Sequence, residues 1–238
     1  MHMTLHRTAW ATALLGALAV LPGWAKEPPA ATAAAWQDDF GLATCKLNSS
    51  GRNPYFVLEP GHQLVLEGGA VRMQITVLDQ TKVINGVTTR IVEEREWEKG
   101  QLLEVSRNYY AICEQSGDVL HFGEDVEVYK NGQLQTSEGT WLAGSNGNRP
   151  GLVLPGNPRP GQRYYQEIAP GVTLNRGEVL SLNETCKTPA GTFSRCMKIR
   201  GTSGMDSKKL EYKFYAPEIG LVRDAKLRLV QHGPSKIP

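Results

Sequence analysis

The sequence predicts an all-β protein built on an antiparallel sheet, and three observations carry this prediction. Runs such as VRMQITVLD, VTTRIVEEREWE and QLLEVSRNYYAIC are rich in the β-branched and aromatic residues that strands favour. Gly-containing turn pairs separate these runs at intervals of about ten residues, as in antiparallel sheets. Helix-capping patterns are few. We expect one antiparallel sheet, barrel-like or curved into a half-barrel.

Turn residues divide the chain into hairpins. Asn85-Gly86 and Asn131-Gly132 each predict a two-residue hairpin turn, because both residue types tolerate the positive φ angles that such turns need. Lys99-Gly100 and Ser116-Gly117 mark two further breaks. The Gly-, Pro- and Asn-rich segment 143–162 predicts a long loop that crosses between two groups of strands.

One predicted strand, residues 88–98, shows how the sheet should curve. Alternation places Arg90, Val92, Glu94, Glu96 and Glu98 on a single face, which is charged along half its length. We expect the charged end of this face to lie in water, where the sheet leaves the core.

A repeat of about one hundred residues runs through the chain. Pro60-Gly61 is matched by Pro160-Gly161, and Tyr110-Ala111 is matched by Tyr215-Ala216. These matches predict two pseudo-repeats, at about 53–142 and 158–224, that pack into a single body. The alternative is that any β-meander reuses Pro-Gly turns and Tyr-rich strands.

The ends of the chain are expected to lie outside this body. Residues 1–25 have the charged start, apolar core and small-residue cleavage site of a signal peptide. Residues 26–35 predict a flexible tether, 36–230 a single β domain and 231–238 a tail. We therefore expect a periplasmic or secreted protein with no transmembrane segment in its mature chain.

The four cysteines predict two disulfides, since an even count in an exported chain favours oxidation. Cys186 and Cys196 lie almost symmetrically about a Pro-Ala-Gly turn, so we expect them to pair across a hairpin. Cys45 and Cys113 then pair by elimination. Closely spaced cysteine pairs of the kind that bind zinc do not occur in the sequence.

Charge excludes one class of partner. The formal net charge is +2, and the sequence has neither a basic block nor aromatic residues interleaved with arginine. We therefore expect no nucleic-acid partner. No cofactor-binding motif occurs, and we expect no cofactor.

The stretch HFGEDVE holds the candidate metal or proton-transfer residues, His121, Glu124 and Asp125. A bulge at Gly123 would bring an imidazole and two carboxylates towards one point, where they can bind a divalent metal or exchange protons. The alternative is a strand end with solvated charges.

Aromatic residues are frequent in the predicted strands, where their commonest role is core packing. If the sheet curls without closing, some of them line a concave apolar pocket. The candidate ligand-binding residues are Trp97, Tyr110, Phe122, Tyr165 and Tyr215.

Four sequence segments together resemble those of a known protein family: NPYFVLEPGHQLVLEG, HFGEDVEVYKNGQLQTSEGTW, GQRYYQEIAPG and YAPEIGLV. They resemble a family of exported bacterial β-proteins with N-P-Y-F, G-E-D and Y-A-P-x-x-G-L motifs. The resemblance covers residues 53–224 and implies export and fold, but no activity. A looser similarity, to half-barrel lipoprotein carriers of the bacterial envelope, rests on architecture alone.

These observations lead to one functional hypothesis and two alternatives. We expect an exported, non-catalytic binding or envelope-accessory protein that holds a small apolar molecule, or contacts an envelope component, through the concave sheet. The first alternative is a periplasmic hydrolase or isomerase that uses His121 with Glu124 or Asp125. The second is a metal-binding accessory protein.

Overall fold

The computed structural model of the protein describes residues 35–235. The predicted signal peptide, residues 26–34 of the predicted tether and residues 236–238 of the predicted tail lie outside the described residues. Within the described range the chain is all-β, as predicted, apart from a 3₁₀ turn at Leu42–Thr44. That range contains no helix with the length and apolar character needed to cross a membrane.

Seventeen strands occupy the described residues, and most are bounded by short turns. They are β1 (Leu47–Asn48), β2 (Gly51–Asn53), β3 (Phe56–Leu58), β4 (His62–Gly68), β5 (Val71–Ile84), β6 (Val87–Glu98), β7 (Gln101–Cys113), β8 (Val119–Lys130), β9 (Gln133–Thr136), β10 (Trp141–Leu142), β11 (Gly151–Leu154), β12 (Arg163–Tyr165), β13 (Asn175–Thr188), β14 (Gly191–Ser203), β15 (Leu210–Ala216), β16 (Gly220–Asp224) and β17 (Leu227–Pro234).

Fifteen of these strands form one antiparallel sheet, which is half-barrel-like and does not close. Its order is β10-β8-β7-β6-β5-β4-β17-β16-β15-β14-β13-β12. Strand β1 pairs with β7, and both β9 and β11 pair with β8, while β2 and β3 form a separate hairpin. The antiparallel sheet predicted from the sequence is therefore confirmed.

The predicted hairpin turns are present at both Asn-Gly pairs. Asn85 and Gly86 have φ angles of 47° and 79° between β5 and β6. Asn131 and Gly132 have φ angles of 53° and 74° between β8 and β9. Both residues of each pair thus lie in the left-handed region that a type I′ turn requires.

The two predicted repeats begin with turns of the same geometry. The Gly61 N–H donates to the Val77 carbonyl at 2.8 Å, and the Gly161 N–H donates to the Val179 carbonyl at 2.8 Å. The two glycines have φ angles of 84° and 85°. This correspondence supports the predicted duplication, with β4–β8 matched to β12–β16.

Strand β17 joins the two halves by pairing with β4 in the middle of the sheet. Leu229 pairs with Leu66, and both side chains are fully buried. The pairing continues to Pro234 opposite His62, so the strand extends beyond the boundary at residue 230 that the sequence suggests. Backbone pairing with β4 orders this segment, although its own residues, HGP, are poor strand formers.

The predicted crossing loop contains a strand. Within residues 143–162, β11 pairs with β8 and buries Leu152 and Leu154. The first residue of β11 lies close to the segment that follows β12 at the other edge of the sheet: a Cβ at Gly151 would lie 2.1 Å from the Gln166 carbonyl oxygen. This segment therefore brings the β8 edge and the β12 edge near each other across the concave face.

Asn53, which is 2% exposed, ties three loops together. Its side-chain amide donates to the Gly117 carbonyl at 2.8 Å and to the Pro155 carbonyl at 3.1 Å. Its side-chain carbonyl accepts from the Tyr55 N–H at 2.8 Å. This residue begins the N-P-Y-F phrase, whose Pro54 carbonyl also accepts from the Glu218 N–H at 2.9 Å.

One of the two predicted disulfides is present. Cys45 and Cys113 form a disulfide, with a Cα–Cα distance of 5.5 Å. The predicted bond between Cys186 and Cys196 is wrong, since both are free, buried thiols. Register shifts in the β13–β14 hairpin place Cys196 opposite Glu184 and Cys186 opposite Phe193, so the two cysteines are not direct cross-strand partners.

Candidate ligand-binding site

The concave face of the sheet holds a cavity of about 210 Å³. Its base is apolar because alternate residues of β4, β5 and β6 face inward there. The base and aromatic wall include Leu64, Ile75, Val77, Val92, Tyr110 and Tyr215.

The two tyrosines occupy matching places in the two halves. Tyr110 lies near the end of β7 and Tyr215 near the end of β15, each followed by a buried alanine. The Tyr110 ring packs edge-on against Phe56, with ring centroids 5.4 Å apart, and lies 4.8 Å from the His121 ring. Burial raises the pKa of both tyrosine hydroxyls, so both are neutral at physiological pH.

A charged wall faces this apolar base. It consists of Glu94, Glu167, Lys209, Glu211, Lys213 and Asp224. The Lys213 ammonium lies 3.4 Å from an Asp224 oxygen and 3.7 Å from a Glu211 oxygen. Burial disfavours the Lys213 charge, but these carboxylates, Asp224 foremost, keep its pKa above the usual value.

Glu94 differs from the other acids of the wall. Its side chain projects from β6, between Ile75 of β5 and Ser106 of β7. Among residues 35–235 it makes no hydrogen bond and no ion pair. Burial raises the pKa of its carboxyl to about 7, against the attraction of Lys213. Glu94 therefore changes charge near neutral pH inside the cavity.

Glu167 and His121 form the side of the cavity nearest β8. The Glu167 Oε2 accepts from the Thr173 hydroxyl and from the Asn175 amide, both at 2.6 Å. Its Oε1 lies 3.9 Å from the His121 Nδ1. Burial lowers the pKa of His121, which is 1% exposed, so its ring is neutral, and its Nε2 has no hydrogen-bond partner.

The predicted bulge at Gly123 is present and separates the predicted metal residues. Asn108 pairs with Glu124 and Tyr110 pairs with His121, so β8 has one more residue than β7 over this stretch. Gly123 has a φ of 136°, and a Cβ there would lie 2.3 Å from the Trp141 carbonyl oxygen. Only glycine fits this backbone without displacing β10.

The bulge leaves His121 and Glu124 on the same face of the sheet, where both contact Trp141. The Trp141 ring packs against His121, with centroids 5.1 Å apart, and its indole N–H donates to Glu124 at 3.2 Å. Burial raises the pKa of Glu124 to about 8, with a further contribution from Glu167.

Asp125 is held in a different set of contacts. Its carboxylate accepts from the Tyr109 hydroxyl and from the Lys82 ammonium, the latter at 2.9 Å. It therefore does not join His121 and Glu124. Within residues 35–235, no three His, Cys, Asp or Glu side chains are grouped to hold a metal ion.

The five candidate aromatic residues divide into two groups. Tyr110 and Tyr215 line the cavity. Phe122 is fully buried in the core, Tyr165 packs near Trp36 with ring centroids 6.3 Å apart, and Trp97 lies opposite Arg72, away from the cavity.

Sequence reasoning did not identify the charged residues of the wall. On the predicted charged face of β6, Glu98 at the end is exposed, as expected, whereas Glu94 lines the cavity and Arg90 is only 8% exposed. His62 also lines the cavity and donates from Nε2 to the Ile219 carbonyl at 3.0 Å. Alternation showed which residues share a face, but not which face is concave.

The fold and cavity define the class: an all-β protein whose open, half-barrel-like sheet carries a small, partly charged cavity on its concave face. No family model, curated protein or solved structure matches the chain.

Proposed function

We propose that the protein is an exported, non-catalytic binding protein that holds one small molecule in the concave cavity. The observation that carries the proposal is the cavity itself, in which an apolar base faces charged groups deep in the sheet. Such a combination of apolar lining and a few polar groups is typical of small-molecule sites. The Cys45–Cys113 disulfide is consistent with export, because such bonds persist in oxidising compartments.

The volume supports a compact ligand. Small-molecule sites commonly measure about 300–1,000 Å³, and this cavity is smaller, at about 210 Å³. A compact ligand is therefore favoured over a long acyl chain of the kind a lipoprotein carrier would hold.

The enzymatic and metal-binding alternatives receive less support. The metal alternative needs His121, Glu124 and Asp125 at one point, and Asp125 is committed to Lys82 and Tyr109. The enzymatic alternative keeps only His121 with Glu124, both of which contact Trp141. These placements weigh towards binding without catalysis.

The test is a calorimetric titration with 2-phenylethanol, a neutral aromatic probe of suitable size. We expect saturable uptake at one site per chain. Ile75→Trp, which places an indole in the cavity, should abolish uptake, whereas Leu134→Trp should not, because Leu134 is 55% exposed and outside the cavity. Uptake that survives Ile75→Trp contradicts the proposal, and so does the absence of saturable uptake of both this probe and its amine and carboxylate analogues.

A further inference from the structure

We propose that the cavity ligand is a small organic cation, with an ammonium group held between Glu94 and Glu167 and a compact apolar body against the tyrosine rings. This inference rests on the proposed binding function and specifies the chemistry of its ligand. Four observations, taken in turn, carry it: the charge balance of the wall, the unpaired carboxylate, the orientation of His121 and the aromatic base.

The wall of the cavity has an excess of negative charge. Four carboxylates line it, and the two opposing cations are Lys209 and Lys213. Lys213 is already paired with Asp224 and Glu211, and the Lys209 ammonium donates to the Asn175 side chain at 3.0 Å. The cavity histidines add no charge at neutral pH, since burial lowers the pKa of each.

Two carboxylate groups remain available to a ligand. Glu94 has neither a hydrogen bond nor an ion pair among residues 35–235, and Glu167 uses only Oε2 for its hydrogen bonds. Both groups lie close enough to Tyr110 to act on its hydroxyl electrostatically. A partly desolvated carboxylate without a partner is unfavourable, and a cation between two such groups reduces that cost.

His121 gives a second, independent indication of a donor ligand. Its ring is part of the cavity wall and is 1% exposed. The Nδ1 atom lies 3.9 Å from a Glu167 oxygen, and a proton on Nδ1 would leave Nε2 as an acceptor. That Nε2 has no partner among the described residues. An ammonium group, which only donates, matches this unpaired acceptor.

The rest of the cavity favours an organic cation over an inorganic one. Tyrosine rings attract ammonium groups through their π systems, and two of them line the site. The apolar base formed by Val77 and Val92 would bury a hydrocarbon body. A metal ion would leave this apolar part of the cavity unused.

Three probes of nearly equal size and different charge test the inference: phenethylamine, 2-phenylethanol and phenylacetate. At pH 8, where Glu94 is mostly ionised, phenethylamine should bind about ten- to a hundredfold more tightly than 2-phenylethanol, as expected for a charge-assisted hydrogen bond. Phenylacetate should bind least tightly. Glu94→Gln should remove most of the preference for the amine, while uptake of 2-phenylethanol reports that the cavity is intact.

The control is Glu98→Gln, which changes an exposed acid on the same strand and should leave the preference unchanged. If the alcohol or phenylacetate binds as tightly as the amine, or if the preference survives Glu94→Gln, the cation inference is wrong and the binding function stands. If none of the three probes binds, the proposed function fails, and the inference fails with it.

Discussion

Glutamine in place of Glu94 should change how the stability of the protein depends on pH. Burial raises the pKa of this carboxyl from 4.5 to about 7. Between these values the folded protein keeps a proton that the unfolded chain has released, so stability falls as pH rises from 4.5 to about 7 and is constant above it. At about 1.4 kcal/mol per pKa unit, the loss is roughly 3 kcal/mol.

The loss should be somewhat smaller in practice, because Glu94 is partly accessible to water in the cavity. The charged groups that act on it are Lys213, Asp224, Glu104 and Glu167, and all of them remain in the Glu94→Gln variant. We therefore expect the variant to match the unmodified protein at pH 4.5 and to be about 2–3 kcal/mol more stable at pH 8.

Urea denaturation, followed by tryptophan fluorescence at several pH values, measures this difference. Glu98→Gln, an exposed change on the same strand, should leave the profile unchanged. Other titrating groups, including Glu124 with its pKa of about 8, contribute to both profiles and largely cancel in the comparison. A stability difference between Glu94→Gln and the unmodified protein that does not vary with pH would refute the reasoning.

Three further predictions concern Asn53 and the cysteines. Asn53→Ala should lower the free energy of unfolding by about 2–4 kcal/mol, because two buried carbonyls and one N–H lose their partner; a loss below about 1 kcal/mol in urea denaturation would contradict it. Reduction of Cys45–Cys113, which closes a loop with a sequence separation of 68, should cost about 4 kcal/mol. Alkylation of the denatured, unreduced protein should add two labels, detected by mass spectrometry, and an unlabelled chain would show that the remaining cysteines are oxidised.

The turns were predictable from the sequence because their chemistry is local. Asn85-Gly86 and Asn131-Gly132 need no distant partner to adopt positive φ angles, and both pairs do so. The runs of β-branched residues between the turns likewise predicted strands, and the antiparallel order of consecutive hairpins followed from the short loops.

Register and curvature were not predictable, because both depend on irregularities in pairing. The symmetric spacing of Cys186 and Cys196 suggested direct opposition, but register shifts between β13 and β14 moved the two cysteines out of alignment. The sequence predicts the bulge at Gly123, but it does not predict that Asp125 faces Lys82 and Tyr109 and not His121. A single extra residue reverses which face the following side chains occupy.

The charged part of the site was hidden for a different reason. Glu94 and Lys213 belong to different halves of the chain, and nothing near either residue in the sequence indicates the other. Tyr110 and Tyr215 are indicated by the sequence because they recur at matching places in the repeat. The sequence thus indicated the aromatic part of the cavity, while the polar part required the arrangement of β6 beside β15 across the concave face.

The pairing of β17 with β4 has a consequence for the order in which this protein matures. Within each half of the sheet, neighbouring strands can pair early in folding, because they are close in the sequence. The pairing of Leu66 in β4 with Leu229 in β17 joins segments far apart in the sequence, so we expect it to form later. Until then the two halves of the sheet are not joined through β4, so we expect the cavity, which both halves line, to be completed in the last step of folding.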